Sequence, residues 1–337
     1  MNDRLLHAGA LAIALCACLP ADHASAYCRM RAGQPAQGPG TPCVDEGAPL
    51  IWSNPCLSYA VDFRGSRWFK NPDGTRDLST VEALVDQSFF AWQDVDCGGG
   101  TPPNVVFQPL TASVCKRAEF NTIGNVNTIA FLDPWKDPCA DASDPYDPFA
   151  FAVTIVWHNT TTGEIFDADM MVNDLLASRF NAGGPYAECP DTGCPEGTGV
   201  PGPADLRSIV THEAGHFIGI GHSDVADATM FGSTERTSVE KRTLAQDDKD
   251  AVCDIYPPGD LDQSCDAAPL CGLQLNCERD QDGEPLACST SPGNASCGNS
   301  GGGCSAARTN GEAPWGTLLA ALLGLTVLRR RSGRRDA

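Results

Sequence analysis

Thr211-His212-Glu213-Ala214-Gly215-His216-Phe217-Ile218-Gly219-Ile220-Gly221-His222 carries the pattern H-E-x-x-H-x-x-G-x-x-H. Residues four apart share one face of a helix, so His212 and His216 can aim two imidazole nitrogens at a single ion. Glu213, one position along, is turned far enough to reach a water at that ion without becoming a ligand. Gly219 lets the chain leave the helix sharply, and His222 comes back as a third ligand. Three neutral histidines leave a fourth position open, as a catalytic zinc site requires. Zinc lowers the pKa of its water from about 15.7 towards about 7, and Glu213 is the general base that accepts the proton and passes it to a departing amine. These are the parts of peptide-bond hydrolysis. A lone histidine is usually a core or surface residue, but here the count argues otherwise. Of six histidines, His7 and His23 lie in the N-terminal leader, and three of the remaining four fall inside the motif. A chance match at its five fixed positions is on the order of one in 100,000 for this composition.

Reading outward, Leu57 to Phe63 alternates as a half-buried strand does. Ser79 and Glu82 form a capping-box pattern, and Val81, Leu84, Val85, Phe89 and Trp92 recur at helical spacing to about Val95. Short apolar runs at Asn104 to Leu110, Thr128 to Leu132, Phe149 to Trp157 and Ile165 to Val172 supply a sheet, with Thr160 to Gly163 turning between the last two. A helix from Pro203–Leu206 to about Phe217 carries the motif, and a third spans Gln246 to Ile255 before Pro257-Pro258. The order implies an α+β domain over 52–257. A Gly/Pro-rich lead covers 27–51, and a Cys-rich segment covers 258–303, either a small disulfide module or a stalk.

The motif is followed directly by Ser223, with Met230 eight residues beyond His222, and in this it resembles the matrixin branch of the metzincin zinc peptidases. Leu244-Ala-Gln-Asp247-Asp248 through Ile255-Tyr256-Pro257 is similar to the matrixin C-terminal helix, and Gly163 to Asp169 to the strand before the active-site helix. The resemblance spans roughly Trp52 to Pro257. It implies a twisted mixed sheet with a backing helix, an active-site helix and a C-terminal helix, and one catalytic Zn2+. It also implies a Met-turn at Met230 beneath the metal and protein or peptide substrates. Met230-Phe231-Gly232 departs from the family in lacking Tyr-Pro after the methionine, where the specificity pocket begins. The histidines of a second, structural zinc are missing, and His158 alone cannot replace them. Asp167 and Asp169 read as solvated strand residues more readily than as Ca2+ ligands. No latency segment is recognisable between Tyr27 and Pro49, although Cys28 or Cys43 could block the metal.

The two ends speak to location. Residues 1–26 combine Arg4, an apolar run from Leu5 to Leu19 and Ala24-Ser25-Ala26, the pattern of a signal peptide cleaved before Tyr27. Residues 304–337 place Cys304 ahead of an apolar stretch from Ala313 to Leu328 and an arginine cluster. This end resembles the myxobacterial-type C-terminal sorting tail, which implies a membrane anchor at Cys304. Two of the 17 cysteines lie in the signal and Cys304 is set aside, so 14 remain, an even set expected to form disulfides in an exported chain. Among them Cys189 and Cys194 suit a local bridge. The net charge of -20, with no basic stripe outside the C-terminus, speaks against nucleic acid as a partner. Two readings compete: a zinc endopeptidase binding extended polypeptide along the Phe149 to Trp157 strand edge, and a non-catalytic zinc-binding surface protein for adhesion or scaffolding. A disulfide-crosslinked envelope protein without zinc is a third.

Overall fold

The computed structural model describes residues 27–34, 41–54, 56–110, 112–113, 117–120, 125–137, 146–175, 186–195, 202–259 and 320–321. The signal sequence, Cys304 and nearly all of the Cys-rich and tail segments lie outside them. The main sheet holds β1 (Cys56–Val61), β2 (Val106–Pro109), β3 (Thr128–Leu132), β4 (Ala152–His158) and β5 (Ile165–Asn173) in the order β2-β1-β3-β5-β4. All neighbours are parallel except β4, which runs antiparallel to β5 at the edge. β6 (Tyr186–Ala187) and β7 (Ala204–Asp205) make a separate two-stranded ladder leading into the motif helix. The dipeptide Ala320–Ala321, β8, lies antiparallel along Thr154–Ile155 on the outer edge of β4. This is the expected α+β architecture.

Strand alternation divides the core in two. Leu57, Tyr59, Val61, Ile129, Phe131, Ala152, Val156, Met170 and Val172 face the helices. Ala130, Leu132, Val153, Ile155 and Met171 face the other way, under Trp135 and Tyr146. On the helix side, α1 (Leu78–Gln93) buries the predicted stripe of Val81, Leu84, Val85, Phe89 and Trp92. Phe89 stacks on Tyr59 at 4.2 Å and meets Phe217 edge-on at 5.1 Å, joining sheet, α1 and motif helix. The cap of α1 differs from the expected box. Asp77 is the N-cap, its carboxylate accepting the Thr80 amide at 3.0 Å, because Ser79 already lies inside the first turn.

α2 (Leu206–Phe217) carries the motif and is buried on nearly every side, so packing rather than amphipathicity holds it. Asp205 caps it through the Ser208 amide, and Arg242 forks onto both oxygens of the same carboxylate at 2.6 and 2.7 Å. α3 (Gln246–Ile255) ends the domain and is bridged to the loop after α1 by Cys97–Cys253. The lead segment packs onto this body. Ala32 and Leu50 enter the core, and Met30 and Cys28 exchange backbone hydrogen bonds with Gly219 and Gly221. Cys28 is paired with Cys43 and Cys189 with Cys194, so neither Cys28 nor Cys43 is a thiol able to block a metal. Among the described residues no helix is long and apolar enough to cross a membrane.

Candidate metal and catalytic centre

α2 places His212 and His216 one turn apart, and the chain must then reverse to bring His222 back. Gly219 makes that reversal at φ +88°, and a Cβ there would stand 2.7 Å from the Leu50 carbonyl oxygen. The returning strand is pinned from outside, with Met30 donating to the Gly219 carbonyl at 2.9 Å and the Gly221 amide donating to the Cys28 carbonyl at 2.7 Å. As a result the three imidazole rings stand with centroids 4.8 to 5.2 Å apart, and their ligand nitrogens all lie within 4.8 Å of one another. Among the described residues this is the one set of three or more His, Cys, Asp or Glu side chains that converges in this way.

Hydrogen bonds set the ring orientations. His212 Nδ1 bonds the Thr229 carbonyl at 2.6 Å and His216 Nδ1 the Ile220 carbonyl at 2.8 Å, which leaves each Nε2 with its lone pair. His216 Nε2 is buried without a hydrogen-bond partner, and His212 Nε2 stands 3.2 Å from His222 Nε2. A tetrahedral zinc with bonds of about 2.0–2.1 Å separates its nitrogens by about 3.3 Å, the spacing that the His212–His222 pair already has, and three neutral imidazoles are donors that this ion takes. Burial pushes His216 down to about 4 and His212 well below the ordinary histidine value, favouring the neutral ligating form.

Met230 is fully buried and packs against the motif helix at Gly215. A Cβ on Gly215 would lie 2.2 Å from its sulfur and 2.8 Å from Trp92, so the glycine inside the motif is required by this packing. The Met230 turn is clamped from two sides. Asp248 accepts the amides of Thr229 and Met230 at 2.7 and 3.0 Å. The ammonium of Lys241, 6% exposed, donates to the carbonyls of Ala228, Thr229 and Phe231. Burial pushes that lysine down to about 7. The Thr229 carbonyl thus serves Lys241 and His212 together. Ser223 faces α3 and donates to Asp247 at 2.6 Å.

Glu213 is fully buried, and burial pushes its carboxyl up to about 8 against the opposing pull of one hydroxyl. That hydroxyl is Thr154 on β4, which donates to Oε2 at 2.7 Å; Oε1 is buried with no hydrogen-bond partner. Motif spacing pointed to Glu213 and the three histidines but carried no sign of Thr154 or Lys241. The one hint was a hydroxyl residue at an inward position of the apolar run Ala152-Val-Thr-Ile-Val156. Asp167 and Asp169 depart from expectation, being 0% and 1% exposed on the face of the sheet away from the histidines. Asp169 accepts the amides of Thr128 and Glu119 at 2.6 and 2.8 Å, and Asp167 accepts from Asn125. Strand alternation carries them to the face opposite the helices, where Glu119, Asn125 and Thr128 close over their carboxylates instead of water.

Residues 144–257 match the family described as matrixin. Among curated proteins, karilysin of Tannerella forsythia is 33% identical over 119 residues, covering 33% of this chain and 24% of its own length. Metalloendoproteinase 5-MMP of Arabidopsis thaliana is 42% identical over 59 residues, 17% of this chain and 16% of its own. Metalloendoproteinase 1-MMP of the same plant is 43% identical over 54 residues, 16% and 15%. The chain thus covers a quarter or less of each of these relatives.

Proposed function

On the premise that this chain carries a matrixin-like metzincin domain, we propose that it is an exported zinc-dependent endopeptidase. The observation that carries the reading is the convergence of three buried imidazoles beside a buried carboxylate with one unpartnered oxygen. His212, His216 and His222 would hold the ion, with Met230 as the Met-turn beneath them. When bound, zinc supplies Lewis acidity towards the scissile carbonyl and its attacking water. Glu213 would accept a proton at Oε1 from the attacking water and deliver it to the leaving amine. The substrate backbone lies extended and antiparallel along the outer edge of β4. That edge has the pairing capacity needed, since Ala320–Ala321 takes up the same geometry at Thr154 and Ile155.

The leader pattern of residues 1–26 supports export, and the tail beginning at Cys304 supports a cell-surface location, or secretion once the tail is processed. Cys304→Ala should release the protein into the medium. The alternative, a zinc-binding adhesion or scaffold protein, gives Glu213 no task, because a binding module needs no base. The test is cleavage of a diverse peptide library by the purified protein, with and without chelator, alongside Glu213→Ala. Zinc-loaded wild type that cleaves nothing would overturn the enzyme reading in favour of the scaffold. Cleavage surviving Glu213→Ala would overturn the assigned base.

A further inference from the structure

Thr154 sits in the middle of β4, opposite Met170 of β5, with its side chain turned to the helices and fully buried. Its neighbours on that face, Ala152 and Val156, are apolar members of the main core. A hydroxyl there is costly unless it is bonded, and its available acceptors both belong to Glu213: Oε2 at 2.7 Å and the main-chain oxygen at 3.2 Å. One hydroxyl proton cannot serve both well, and Oε2 at the shorter distance takes it. Glutamate has three side-chain torsions, and tethering Oε2 removes most of that freedom. Oε1 is then the oxygen left without a protein partner.

The same strand offers its outer backbone edge to an extended chain, as the pairing with Ala320–Ala321 demonstrates. Thr154 therefore links the strand that would receive substrate to the carboxylate that would act on it. Resting on the peptidase reading above, we propose that Thr154 is the positioning residue of Glu213, tethering Oε2 so that Oε1 is presented in register with a peptide lying along β4. Its backbone binds while its hydroxyl aims the base, and one residue fixes their relative position.

Thr154→Val keeps the shape and removes the hydroxyl, and Thr154→Ser keeps the hydroxyl. Thr154→Val should lower kcat about 10- to 100-fold, the usual scale for losing a supporting hydrogen bond at such a centre, with KM and zinc content little changed. Thr154→Ser should recover kcat to within about threefold of wild type. Metal-free protein supplies a readout independent of turnover. There the shift in melting temperature caused by Thr154→Val should be smaller in a Glu213→Ala background, where only the longer bond to the main-chain oxygen remains to be lost. Unchanged kcat in Thr154→Val with active wild type, a Ser variant as impaired as Val, or additive melting shifts would each overturn the assignment. Inactive wild type would overturn the peptidase reading instead, and coupled melting shifts would then leave Thr154 tethering a carboxylate that does no proton work.

Discussion

The histidine–glutamate centre and the Asp167–Asp169 pair lie on opposite faces of one sheet and are buried to the same degree, yet their polar atoms are disposed differently. On the helix side the hydrogen bonds engage the far nitrogens of His212 and His216 and one oxygen of Glu213. The atoms left over include His216 Nε2 and Glu213 Oε1, within a cluster whose ligand nitrogens converge. On the other face the chain supplies Asp169 with two backbone amides, and the leftover atom is Asp167 Oδ2 alone. Several unpartnered atoms that converge mark a site for a ligand, whereas one beside a like charge marks a carboxyl that keeps its proton. Burial first, then the charge of Asp169, pushes Asp167 well above the ordinary aspartate value.

The sharpest break between the two centres is Glu213→Ala. Activity should fall about 10²- to 10⁴-fold, with zinc retained and the melting temperature equal or higher, because a buried carboxylate is removed. Steady-state kinetics, metal analysis and calorimetry check the three together, and a lower melting temperature would make Glu213 a structural residue like Asp169. Lys241→Met should act on both properties. It strips donors from the carbonyls around Met230 and should cost about 1–3 kcal/mol of stability, and about tenfold in zinc affinity through His212, read by chelator competition.

Asp169→Ala should cost about 1–3 kcal/mol by leaving the amides of Thr128 and Glu119 buried and unpaired, seen in denaturant unfolding. Turnover per folded, zinc-loaded molecule should stay within about twofold of wild type; a larger loss would erase the contrast between the faces. The smallest effect is expected of Asp167→Asn. With its folded value raised, Asp167 contributes fully below the unfolded aspartate value of about 3.9, and that contribution is lost as pH rises through the folded value. The variant should therefore match wild type near pH 4 and exceed it at pH 7 by on the order of 1 kcal/mol. Equal stability at both pH values would show Asp167 to be ionised and satisfied.

Local pattern made most of the fold readable. β3 spans Thr128–Leu132 and α3 Gln246–Ile255, as their apolar runs and flanking breakers imply, because those signals are carried by adjacent residues. The cap of α1 moved to Asp77, since Ser and Asp close together are equivalent in sequence until the backbone chooses which carboxylate or hydroxyl meets the N3 amide.

Within the site, the three histidines and Glu213 were legible in the amino-acid sequence by itself, because helix periodicity and a glycine turn dictate that spacing over a few residues, whereas Met230 was named only through the resemblance to the matrixin pattern. Tertiary structure alone decided which atoms support them. Thr154 is 59 residues from Glu213, and Lys241 and Asp248 reach the Met230 turn from beyond it. The inward and outward faces of β4 and β5 were also settled there, since a strand's alternation gives a relative phase, and only packing against α2 or under Trp135 says which phase is which.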